Sequence, residues 1–104
     1  MTEPVVEWAP FKVRPGTTRA ALLEASEHLQ RDFLATRPGF LRRELVAGGD
    51  RYADIIWWRD RAAVDAAMAA VAASPACASY FALMDINVAD PEAGVSLFET
   101  LRSY

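Results

Sequence analysis

The sequence is poor in the residues that most often carry chemistry. Among 104 residues there is one cysteine, Cys77, one histidine, His28, and one lysine, Lys12. A lone cysteine closes no internal disulfide and builds no cysteine-based metal cluster, so a reduced, cytoplasmic setting is expected. The net charge is −3 and no basic run exceeds Arg42-Arg43. Nucleic-acid phosphates need clustered Lys and Arg, so no nucleic-acid partner is expected. Long apolar runs are also missing. The least polar stretch, residues 66–73, is short and alanine-rich, whereas a bilayer-spanning helix needs about 20 apolar residues. Residues 1–7 are acidic and lack a basic segment followed by an apolar one, so no signal peptide is expected. There is no Gly-rich phosphate loop, no Ser-His-Asp order and no metal-spaced cluster, so neither cofactor nor metal is expected.

What is present suits a single globular domain over residues 1–104: 53% hydrophobic and 24% charged residues. Residues 5–13 carry Val5, Val6, Trp8, Phe11 and Val13 on mixed parity and predict a first strand. Pro10 donates no ladder hydrogen bond, so it marks either a bulge or an edge. Thr17 or Thr18 can cap a helix reaching residue 36, with Leu22, Ala25, Leu29 and Phe33 as its buried stripe. Arg37-Pro38-Gly39 stops it. A second strand over residues 40–47, the turn Gly48-Gly49-Asp50 and a third strand over residues 52–58 form a hairpin. Asp60 can cap a second helix over residues 61–73, rich in alanine and therefore closely packed. Residues 75–84 predict a short helix, residues 90–94 a loop, and residues 95–101 a last strand.

The order β-α-β-β-α-β gives a ferredoxin-like α+β fold, a four-stranded antiparallel sheet with its helices on one face. Ile55-Ile56-Trp57-Trp58 is apolar on both parities, and so is the first strand. Helices on one face leave the other uncovered. A second copy of the chain is the simplest cover, since symmetric dimers are the commonest oligomers.

Several of these residues carry a family resemblance. A strand ends in Pro15-Gly16-Thr17, a helix closes on Pro38-Gly39-Phe40, the hairpin turns at Gly48-Gly49-Asp50, and a strand closes on Trp58-Arg59-Asp60-Arg61. In these features the sequence resembles the dimeric α+β barrel superfamily, and within it the antibiotic-biosynthesis-monooxygenase-like group. The resemblance implies two sheets packed face to face in a homodimer, with a pocket in each subunit between sheet and helices. Members of that group include cofactor-free monooxygenases acting on polyaromatic phenols, haem-degrading enzymes, small-molecule isomerases and proteins without known activity, so fold does not decide function. The haem-degrading relatives need a histidine on the second helix, where this sequence has none, and their first-strand asparagine falls at or near Ala9. Only Trp58 matches, so haem degradation is not expected.

Strand parity selects the candidate residues. If Trp58 faces the helix-side pocket, so do Ile56, Asp54 and Tyr52, and on the first strand Val13, Phe11, Ala9, Glu7 and Val5. Carboxylates among aromatics in an apolar pocket hold protons more tightly and can exchange them near neutrality. Asp54, Glu7 and His28 are therefore the candidate catalytic groups. The plainer reading of either carboxylate is a solvated or Arg-paired side chain, and of His28 a solvated helix residue. Trp58, Tyr80, Phe81, Tyr52 and Phe11 are candidate contacts for a small aromatic ligand, with core packing as the alternative for each. Trp57 and Trp8 point the other way, toward the expected dimer interface. Two functions follow: a cofactor-independent monooxygenase-like enzyme acting on a small aromatic molecule, or a non-catalytic dimeric binding or accessory domain whose pocket is filled by its own side chains.

Overall fold

The structure is a computed structural model and describes residues 3–85 and 94–104. The elements are β1 (Val5–Phe11), α1 (Arg19–Asp32), β2 (Phe40–Gly48), β3 (Arg51–Trp58), α2 (Arg61–Ala70), α3 (Pro75–Phe81) and β4 (Ser96–Glu99). The strands form one antiparallel sheet in the order β2-β3-β1-β4, which is the ferredoxin-like α+β arrangement. Among the described residues no single helix is long and apolar enough to cross a membrane. Apart from Gly94, the loop expected at residues 90–94 lies outside the described residues.

Each helix starts where a side chain can satisfy an orphan N–H. Thr18 Oγ1 accepts from the Ala21 N–H, Asp60 Oδ1 from that of Ala63, and Ser74 Oγ from that of Cys77, at 3.1, 2.9 and 3.2 Å. The first helix is shorter than the hydrophobic pattern predicts. It breaks at Phe33, and a 3₁₀ turn over Leu34–Thr36 follows, with Thr36 Oγ1 donating back to the Phe33 carbonyl at 2.7 Å. The second helix tightens in the same way over Val71–Ala73. Pattern alone does not separate these turns from α-helix, because the apolar residues continue through them. The end strands are also shorter than expected. Val13 makes only an isolated bridge to Met84, and β4 is limited to Ser96–Glu99.

Pro10 marks no bulge. The β1–β3 register runs unbroken from Val5↔Trp58 to Phe11↔Tyr52, and β4 pairs with β1 only as far as Trp8. Pro10 lies past that point, where a missing N–H is tolerated. The bulge is instead in β2: Phe40 pairs with Trp58 and Arg42 with Trp57, which leaves Leu41 as the extra residue. Beyond it the parity of β2 is inverted, and Arg43 and Leu45 join Phe40 on the helix side.

The core lies between that face and the helices, with Leu22, Leu29, Phe33, Leu34, Ile56, Trp58, Val64, Cys77 and Tyr80 buried. Gly39 permits the close approach of the β2 start to α2. Its φ is +80°, and a Cβ there would sit 2.5 Å from that of Ala63. The opposite sheet face carries Val6, Trp8, Val46, Ile55, Trp57 and Phe98, with Trp8 39%, Val46 40% and Phe98 55% exposed. Arg42 lies over the Trp57 ring on that side, 4.5 Å from its centroid.

Candidate active site

Between the sheet and the helices lies a cavity of about 590 Å³, within the range of small-molecule sites. Its sheet wall carries Glu7, Ala9 and Phe11 from β1 and Tyr52, Asp54, Ile56 and Trp58 from β3. These residues belong to the set selected by parity, and the β1–β3 register accounts for them; Val5 and Val13, the other two of that set, pack against the core without lining the cavity. The opposite wall is Leu29 of α1, Phe33, Ala67 and Met68 of α2, Val71, and Cys77, Tyr80 and Phe81 of α3. Most of this lining is apolar. Phe11 stacks on Tyr52 with centroids 5.6 Å apart and meets Tyr80 edge-on at 5.9 Å, while Phe40 supports Trp58 edge-on at 5.8 Å.

Two carboxylates are buried in this wall, Glu7 and Asp54, 7% and 5% exposed. Their surroundings differ. Asp54 Oδ1 accepts from Arg43 Nε at 2.8 Å, and Oδ2 accepts from the Tyr80 hydroxyl at 2.7 Å. Arg43 also donates through Nη1 to the Ser26 carbonyl at 3.2 Å and through Nη2 to the Tyr80 oxygen at 3.3 Å, joining β2, β3, α1 and α3. Burial, and then the Asp54 charge beside it, push the Tyr80 hydroxyl well above its ordinary pKa, so it stays protonated and donates inward. Among the described residues no cation pairs with Glu7. Its Oε1 accepts from Trp58 Nε1 at 3.0 Å. Burial is the main reason its pKa is raised; the Trp58 hydrogen bond partly opposes this and the Asp54 charge adds to it.

Arg43 is the site residue that sequence reasoning missed. Its signal was an arginine between Leu41 and Leu45 on what reads as an apolar parity. The Arg-paired alternative considered for the carboxylates describes Asp54; Glu7 follows the apolar-pocket one. His28 stands outside the cavity, half-exposed on α1, with Arg31 Nη2 2.8 Å from its Nδ1 and Asp32 3.8 Å away. Cys77 is buried in the cavity wall, and that burial raises its thiol pKa, so it stays protonated. Among the described residues no group of three or more His, Cys, Asp or Glu converges as metal ligands.

Comparison with known proteins gives this arrangement its family. The model described as antibiotic biosynthesis monooxygenase matches residues 4–84. The chain belongs to the antibiotic biosynthesis monooxygenase family. Solved structures share the fold of this family member along nearly its whole length. SnoaB, a cofactor-independent oxygenase from Streptomyces nogalater, is 22% identical with a TM-score of 0.75, over 97% of this chain and 96% of that one. Rv0793 from Mycobacterium tuberculosis is 21% identical with a TM-score of 0.67, over 96% and 97%. SO0527 from Shewanella oneidensis is 23% identical with a TM-score of 0.66, over 96% and 93%. The chain matches no curated protein.

Proposed function

We propose that this protein is a cofactor-independent monooxygenase-type enzyme acting on a small, flat aromatic molecule with an acidic hydroxyl, and that it works as a homodimer in the cytoplasm. The observation that carries the reading is an aromatic-walled cavity of about 590 Å³ with two buried carboxylates on one sheet face. Family membership supports it, as does the description of SnoaB as a cofactor-independent oxygenase. Trp58, Tyr52, Phe11 and Phe81 would stack on the ring, and a cavity carboxylate, Glu7 or Asp54, would take the hydroxyl proton. The electron-rich anion then reduces dioxygen. One oxygen atom bonds to the ring carbon, the O–O bond breaks, and the other oxygen leaves as water with two substrate hydrogens. The protein's part is deprotonation, orientation and water exclusion.

A cavity of this size favours the enzyme over a binding domain whose pocket is filled by its own aromatics. The dimer would form through the outer sheet face, because Trp8, Trp57, Val46 and Phe98 are the apolar side chains the helices leave uncovered. Oxygen uptake with a panel of anthrone- and quinol-type phenols tests the function. Uptake with at least one, abolished when both carboxylates are replaced by amides, is expected. No uptake with any of them overturns the enzyme reading.

A further inference from the structure

We propose that Glu7, and not Asp54, is the cavity's proton acceptor, and that Trp58 is a hydrogen-bond donor whose N–H passes from Glu7 to the substrate oxyanion as the proton moves. The inference rests on the reading above that a phenol-type hydroxyl enters this cavity. Asp54 is poorly placed to receive a proton. Both its oxygens already accept hydrogen bonds, from Arg43 and Tyr80, and the Arg43–Asp54 side chains are 6% and 7% exposed. Protonating Asp54 would leave a buried guanidinium without its counter-charge. Glu7 presents the opposite case. Among the described residues its carboxyl receives one hydrogen bond, from Trp58, and no cation pairs with it.

Among the described residues, the charged and titratable groups that share the cavity with Glu7 are Asp54, Arg51 and Tyr52 of β3, with Arg43 of β2 paired to Asp54, Tyr80 and Cys77 of α3, and Lys12 and Asp85; α1 and α2 contribute only apolar side chains to the lining. A neutral phenol meeting charged Glu7 therefore moves a negative charge without creating one. The phenol O–H bond breaks, an O–H bond forms on Glu7, and the charge passes to the ring oxygen. The Trp58 N–H, 3.0 Å from Glu7 Oε1, then faces a neutral carboxyl instead of an anion and is free to strengthen its bond to the new phenolate.

The pH dependence of the Trp58 indole N–H resonance, assigned with Trp58→Phe in ¹⁵N-labelled protein, tests the coupling without turnover. It should titrate with a midpoint above the ordinary glutamate value of 4.5. The titration should vanish in Glu7→Gln, which keeps the volume and an acceptor oxygen, and in Glu7→Ala. It should persist in Asp54→Asn with a lower midpoint, because a neighbouring negative charge is lost. Para-nitrophenol tests the base: wild type should bind it as the yellow phenolate and Glu7→Gln as the colourless phenol. A responsive substrate should lose about 100-fold or more in turnover with Glu7→Gln. A Trp58 titration that survives Glu7→Gln overturns the coupling, and phenolate formation by Glu7→Gln overturns the base assignment. An intact titration in a wild type that binds no phenol and takes up no oxygen overturns the phenol reading and leaves the coupling standing.

Discussion

Replacing Arg43 with methionine should be among the most damaging single changes away from the apolar core. The substitution removes the 2.8 Å ion pair to Asp54 and the bonds to the Ser26 carbonyl and the Tyr80 oxygen. Among the described residues it leaves Asp54, 5% exposed, with the Tyr80 hydroxyl as its remaining side-chain partner. Stranding one member of a buried pair costs about 3–5 kcal/mol, against a total stability of about 5–15 kcal/mol for a domain of this class. Tyr80→Phe keeps the ion pair and removes two hydrogen bonds with charged groups, the short one to Asp54 Oδ2 and the longer one from Arg43 Nη2, so a loss of at least about 1.5–3 kcal/mol is expected. The double variant Arg43→Met with Asp54→Leu strands no charge but takes both partners from the buried Tyr80 hydroxyl, so it should recover part of the loss and lie about 1–3 kcal/mol below wild type. Urea unfolding followed by circular dichroism, at one fixed protein concentration because association shifts apparent stability, measures all three. If Arg43→Met costs under about 1 kcal/mol, or if the double variant is no better than the single one, the pair is not the buried, mutually dependent unit described above.

Glu7 gives a pH signature. Its folded-state pKa is raised, so native protein holds this proton after the unfolded chain has released it, and stability falls as pH rises from about 4.5 through the folded value. Glu7→Gln should remove that slope and be more stable than wild type above the window; parallel unfolding midpoints across pH would contradict this. Gly39→Ala should destabilise by about 1–3 kcal/mol from strained backbone alone, and Ala63→Gly should rescue only the part due to the 2.5 Å clash; thermal unfolding of the single and double variants separates the two. Sedimentation at micromolar concentration should give about 23 kDa, twice the 11.5 kDa chain, and Trp57→Asp should give the monomer mass; a monodisperse wild-type monomer refutes the sheet-face dimer.

Much of the site follows from period-two alternation, because β1 and β3 are regular. Once Trp58 is set toward the helices, Glu7, Asp54, Phe11 and Tyr52 must share its face, and their register bears this out. Alternation fails in β2, since the bulge at Leu41 leaves no mark in residue type. Residue type alone therefore gives Arg43 no place in the site, although its flanks Leu41 and Leu45 are apolar. His28 is the opposite case. Its chemistry made it a candidate, but which side of α1 it lies on depends on how the helix is rotated against the sheet, and α1 packs with Leu22, Ser26 and Leu29 inward. The 3₁₀ ends of both long helices are not legible in the sequence, because apolar spacing runs through them.

The one-residue insertion at Leu41 acts as a phase shifter. In an uninterrupted strand, Phe40 and Arg43 would point to opposite sides of the sheet. With the shift, Phe40 supports Trp58 while, two pairs further along, Arg43 reaches Asp54. Anyone grafting this constellation onto another sheet must carry the insertion with it. Deleting Leu41 would exchange the two beats of the strand before the bulge, turning Phe40 outward and depriving Trp58 of its edge-on support, while every residue of the cavity wall itself stayed in the sequence.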